Sequence, residues 1–336
     1  MQCSSYEKEI TKLLSTQTKT HDELIKTYLN KIENGELKIQ NNQELKELDL
    51  TSILHLKALT IENCSNIQKL QSKSVSKLLI IGAFQSLEDF QLENLEDLTL
   101  INIEEQNRII IKEMNKFTKL KEIYIYGWTI YTCPLQITGL TKLNLISCGL
   151  QSAECLKQLV NLQELYLGNN KEMNDITSLQ YLTRLSKLSL NSCSLINLDA
   201  LRPLKQLEEL NISDNIVVYV QPLAELKQLL TLYAYYNKII DINAVMNHKQ
   251  YNKFHFQEQT QPTQEQLKIA NVMREIYCLS TILRKISQQS NNLHIRSIQF
   301  RYNIYACQQR QNDNQISFVT QVASIFNNMN TVEGVQ

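Results

Sequence analysis

The sequence predicts an α/β repeat fold: a solenoid of about ten stacked, strand-bearing units over residues 34–247, with helical segments at 1–33 and 248–336. Three observations carry this. A nine-residue pattern, apolar at positions 1, 4 and 6, recurs at a fixed interval. Within each unit the apolar residues alternate as in a strand. Outside the repeats the apolar spacing changes to that of a helix.

The period comes first. "LTKLNLISC", "LQELYLGNN", "LSKLSLNSC", "LEELNISDN" and "LLTLYAYYN" start at 140, 162, 185, 207 and 229, steps of 22 or 23 residues. Weaker units start at 120, 95, 75 and 56, and a degenerate one, "NGELKIQNN", at 34. Five units in register are not chance, and alternation inside each unit excludes a heptad coiled coil. One unit cannot bury its leucines alone, so neighbours must stack and share a core. Leu165, Leu167, Leu188, Leu190, Leu210 and Ile212 are expected to be buried. Asn at position 9 satisfies backbone groups where the chain leaves the strand, and Cys64, Cys148 and Cys193 stand in three of those slots. Trp128 occupies the same position, at the edge or in the core.

The flanks read as helices. "THDELIKTYLNKI" pairs Thr20 with Glu23 as a capping box and sets Leu24, Tyr28 and Ile32 on one face, which fits a cap over the first repeat. After residue 240 the repeat signal fades. Leu267, Ala270, Met273, Ile276, Leu283 and Ile286 recur at helical spacing, as do Ile316, Val319, Val322, Phe326 and Met329. These stripes suit either a cap or a small appended helical domain.

Composition narrows the function. Lys+Arg and Asp+Glu are 34 each, a net charge of zero, so no global field draws the chain to nucleic acid or an anionic membrane. No stretch reaches the ~20 apolar residues of a membrane helix. The first residues lack an apolar secretory core, and the eight cysteines form no CxxC pair. Reduced thiols in the cytoplasm, or the nucleus, are the expectation. There is no phosphate loop, dinucleotide fingerprint, nucleophile elbow or zinc-protease motif. The five histidines lie far apart in sequence. No enzyme activity, metal or cofactor is expected.

The pattern resembles leucine-rich repeat proteins of the short class, the type found in the protein phosphatase 1 regulatory subunit and the internalins. The fullest match is "LDALRPLKQLEELNISDNIV", with Leu201, Leu204, Leu207, Leu210, Ile212, Asn215 and Val217 on the ladder positions. The resemblance covers about two-thirds of the chain. It implies a curved right-handed solenoid with a parallel concave sheet, and 3₁₀ turns on the convex side.

In this register positions 3, 5 and 7 point out of the concave sheet. Apolar and aromatic residues gather there at Leu79, Ile81, Ile101, Tyr124, Tyr126, Ile146 and Tyr166, beside alternating charges at Glu122, Lys142, Glu164, Lys187 and Glu209. "LYAYYNKI" adds Tyr233, Tyr235 and Tyr236, which either bind a partner or pack under the C-terminal region. Glu122, Tyr124, Tyr126, Ile146, Glu164, Tyr166, Tyr233, Tyr235 and Tyr236 are therefore the candidate protein-binding residues, on a regulatory or scaffold subunit. The alternative places an enzymatic or nucleic-acid-binding activity in the chain after residue 240.

Overall fold

The computed structural model describes residues 34–102, 108–132 and 135–267, apart from 247, 249–252, 258, 265 and 266. One parallel sheet of eleven strands runs through the described chain. In its N-terminal part lie β1 (Glu36–Gln40), β3 (Ala58–Glu62), β5 (Lys77–Ile81), β7 (Asp97–Ile101), β9 (Glu122–Tyr126) and β11 (Lys142–Ile146). Then come β12 (Glu164–Tyr166), β13 (Lys187–Ser189), β14 (Glu209–Asn211), β15 (Thr231–Tyr233) and β16 (Phe254–His255). Neighbours pair without a shift, so that Leu98, Ile123, Leu143, Leu165, Leu188, Leu210 and Leu232 form one row. That row and the position-6 row are buried, including all six residues expected to be. Each such side chain contributes about 1.5–3 kcal/mol by leaving water.

Position 8 carries the chain off the sheet in a left-handed conformation. Asn41, Asn63, Ser147, Asn169, Ser192, Asp214 and Tyr236 all have φ between 51° and 60°. Gly127 fills this slot in its unit with φ of 74°, where an added Cβ would lie 2.2 Å from the Asn102 carbonyl oxygen.

Position 9 then turns inward. Asn170 Oδ1 accepts the N–H groups of Cys148 and Leu150, both at 3.0 Å, while its Nδ2 donates to the carbonyls of Leu145 (2.9 Å) and Leu167 (2.7 Å). Asn215 and Asn237 repeat this two and three units on. The buried Cys148 thiol makes long contacts to the Ile125 and Ile146 carbonyls, and burial pushes its pKa up to about 12. Trp128 resolves to the core: it is 1% exposed and packs on Phe84 with ring centroids 4.8 Å apart.

The opposite side of the solenoid departs from expectation. The 3₁₀ turns implied for every unit occur at Ile111–Lys116, Glu154–Leu156, Thr177–Tyr181, Asp199–Leu201 and Gln221–Glu225. The first three units instead place β2 (Glu47–Asp49), β4 (Lys69–Ser72) and β6 (Asp89–Leu92) in a second parallel sheet, and β8 (Arg108–Ile110) pairs β10 (Thr129–Thr132) in a third. Residue spacing explains the split. Leu198, Leu201, Leu204 and Leu207 are all buried at intervals of three, the 3₁₀ period. Leu48 and Leu50, Ser72 after Leu70, and Leu92 after Phe90 are buried at intervals of two, the strand period.

The repeat also runs past the boundary expected at 247. β16 pairs β15 with Leu232 opposite Phe254 and Tyr233 opposite His255. Gln259 takes the asparagine role there: its Oε1 accepts Ile239 N–H (3.1 Å), and its Nε2 donates to the carbonyls of Ala234 (2.7 Å) and Phe256 (3.0 Å). Within 248–336, Phe254–His255 is thus a strand of the long sheet. The helices expected at 1–33 and beyond 267 lie outside the described residues.

Candidate functional site

The candidate residues fall on the face of the long sheet turned away from the core. Tyr124 is register partner to Thr99 and Asn144, and Tyr126 to Ile101 and Ile146. Ile81 pairs Ile101 in turn, so Ile81, Ile101, Tyr126 and Ile146 stand side by side on four consecutive strands, about 4.8 Å apart. Tyr124 and Tyr126 are 36% and 41% exposed, while Ile81, Ile101 and Ile146 are half-buried by their neighbours. An apolar row of this length on an open sheet face is unusual for surface that meets only water.

Charges flank the row. Lys142 lies 4.0 Å from Glu122 and 3.5 Å from Glu164, and Lys187 lies 3.3 Å from Glu164. Tyr166 donates its hydroxyl to Glu164 Oε2 at 3.0 Å. Burial alone would raise the Glu164 carboxyl, but hydrogen bonds from Tyr166 and Lys187 and the charges of both lysines hold it below the usual carboxylate range. Burial and the bond to Glu164 push the Tyr166 phenol up to about 12. The phenol therefore stays a neutral donor. Three strands back, on β7, burial and the neighbouring Glu122 raise the Asp97 carboxyl, against the pull of Lys77 and Lys142.

Along position 7 the face then drops to Gly168, Asn191 and Ser213. A Cβ on Gly168 would press on the Asn191 side-chain amide of the next strand. Beyond this low stretch the second cluster rises. Tyr233 stacks on His255 with centroids 5.2 Å apart and 5° between planes. Tyr235 lies 6.2 Å from Tyr233 and 5.7 Å from His255.

The structure brings Glu122, Tyr124, Tyr126, Ile146, Glu164 and Tyr166 together and sets Tyr233 and Tyr235 apart from them, four strands on from β11. Tyr236 does not belong to the sheet face. It occupies the position-8 turn with φ of 51° and is 56% exposed. The tyrosines also do not end the sheet, because β16 follows them. His255 is the residue the repeat reading missed. It lies 22 residues after Tyr233, one period on, with Phe254 and Phe256 at positions 4 and 6 of its own unit. Among the described residues no cluster of three His, Cys, Asp or Glu could hold a metal ion, and no helix is long and apolar enough to cross a membrane.

No protein-family model matches the chain, and no curated protein matches it. Solved structures do. An internalin, InlF, of Listeria monocytogenes is 21% identical with a TM-score of 0.52, over 76% of this chain and 74% of that one. Internalin C2 of the same organism is 27% identical with a TM-score of 0.40, over 42% of this chain and 62% of that one, less than two-thirds of its length. A leucine-rich repeat protein of Leptospira interrogans is 20% identical with a TM-score of 0.38, over 58% of this chain and 65% of that one. The likeness to InlF is one of fold, and it agrees with the ladder built up from single residues: this chain has a leucine-rich repeat fold.

Proposed function

We propose that the chain is a non-enzymatic interaction module that holds a protein partner on the concave face of its long sheet, as a regulatory or scaffold subunit. One observation carries the reading. Ile81, Ile101, Tyr126 and Ile146 form a continuous row on adjacent strands with Tyr124 beside it, and none is needed to close the core. Tyrosine offers a large rigid contact and a hydroxyl at small entropic cost, and Glu122 and Glu164 supply a charged rim. We also place the protein in a reducing compartment, the cytoplasm or nucleus, because the ladder thiols of Cys64, Cys148 and Cys193 are buried and free.

Replacing Tyr124 and Tyr126 together by alanine should weaken partner capture from a native extract by about 2 kcal/mol or more, with much less effect on thermal melting. Capture retained alongside a large fall in melting temperature would place both tyrosines in the framework.

A further inference from the structure

We propose that the second aromatic cluster, with Glu209, is a notch for an arginine side chain of a basic peptide segment in the partner. The proposal rests on the concave-face reading and names the chemistry of one contact within it.

The notch is built by the register. Position 5 runs Tyr166, Ser189, Asn211, Tyr233 and His255 along five adjacent strands. Two small residues therefore lie between two aromatic ones, an opening of about 14 Å at sheet spacing. Its floor stays low because Asn211 folds back, its Oδ1 accepting the Ser213 N–H at 3.0 Å. His255 covers one face of Tyr233 from the following strand. Asn211 is the neighbour of Tyr233 on the preceding strand, and Tyr235 stands beside the ring at 6.2 Å. Tyr166 closes the far wall, its hydroxyl tied to Glu164.

Charge selects the occupant. Along position 3, Lys142 and Lys187 both lie within 4 Å of Glu164. Glu209, the register partner of Lys187 and Thr231, is exposed and makes no ion pair among the described residues. It stands one strand from Tyr233, and its charge reaches the Tyr166 phenol. An aromatic ring at the edge of the low stretch, beside a carboxylate that makes no ion pair among the described residues, suits a group that is both planar and cationic. Guanidinium stacks on a ring and pairs with a carboxylate through its edge, whereas an ammonium is a more strongly hydrated point charge. An acidic or apolar segment would leave Glu209 facing like charge or buried without a partner.

The test uses fluorescein-labelled octa-arginine, octa-lysine and octa-glutamate peptides with the full chain, read by fluorescence anisotropy at low salt. Octa-arginine should bind most tightly. E209Q and Y233L should each weaken it about tenfold, while E36Q, a carboxylate on the same row at the other end of the sheet, should change it less than twofold. Circular dichroism of each variant establishes that it is folded. Equal losses from E209Q and E36Q, or equal binding of octa-arginine and octa-lysine, overturn the notch. Affinity reduced by the Tyr124 and Tyr126 double substitution but not by E209Q or Y233L overturns the notch and leaves the concave face in use. Affinity unmoved by any of them removes both.

Discussion

The N-terminal and C-terminal parts of this solenoid solve the same problem in different ways. Each unit must turn twice, and each turn leaves backbone groups without a partner inside the unit. Up to residue 146 the strands of the long sheet are five residues long, and the first three units return through β2, β4 and β6, which hydrogen-bond to one another. There the second sheet itself satisfies the backbone, and position 9 can be filled by Cys64 or Ala83. From β12 onward the strands of the long sheet before β16 are three residues long and 3₁₀ turns replace the second sheet. The amides of Asn170, Asn215, Asn237 and Gln259 then bond one unit to the next. Side-chain amides do in one part what a strand ladder does in the other.

The largest test of this comparison is a control on both parts. Leu188→Ala in β13 should cost about 2–5 kcal/mol, because the side chain is packed between two neighbouring units and the stack cannot collapse into the space. Chemical denaturation measures it, and an unchanged midpoint would mean that Leu188 does not face the core.

Asn215→Ala separates the two parts more sharply. It strips hydrogen bonds from the carbonyls of Leu190 and Ile212 and from the Leu195 N–H, all buried. The expected loss is about 2–3 kcal/mol. Cys64→Ala, at the same position in the N-terminal part, removes one long thiol contact of 3.4 Å and should cost about 1 kcal/mol or less. Equal costs in the same denaturation experiment would end the distinction.

The smallest effects come from the charge row, and they have opposite signs. Glu164 has a folded pKa below its ordinary 4.5, so its stabilisation is present above that value and disappears as pH falls through the folded value. Asp97 has a folded pKa above its ordinary 3.8, so its ionised form penalises folding at neutral pH and the penalty is relieved on acidification. Glu164→Gln should therefore lower, and Asp97→Asn raise, the melting temperature at pH 7, each by less than about 1 kcal/mol in stability. Both differences should shrink as the pH falls through the folded values of the two groups. Melting curves of the two variants that shift the same way at pH 7 would contradict the assignment.

Much of this architecture is legible in the chain, because it is written once per 22 residues. The leucines at positions 4 and 6 identify the core, and the alternation puts Tyr124 and Tyr126 on the open face. The second sheet escapes because its strands are only three or four residues long, too short for alternation to stand out. The clue is a single interval of two, as at Leu48 and Leu50, where later units have three. The eleventh unit escapes because phenylalanine and glutamine stand where leucine and asparagine are expected. His255 was hidden with it, and so was the fact that Tyr233 stacks on the next strand instead of closing the sheet. Tyr236 misleads for another reason: alternation says nothing about the left-handed turn that takes it off the sheet.

Trp128 is the only tryptophan in the chain, and it is buried against Phe84, beyond β6, the last strand of the second sheet, and before the 3₁₀ turn at Glu154–Leu156. Its indole is thus a spectroscopic marker set between the two halves, with Tyr124 and Tyr126 close by as donors of excitation energy. In a one-dimensional stack, each unit is held chiefly by its neighbours, and the halves are free to melt in turn. Emission that shifts to the red before the far-ultraviolet signal is lost would report a boundary opening ahead of the rest. Coincident curves would report a single cooperative unit spanning both kinds of turn.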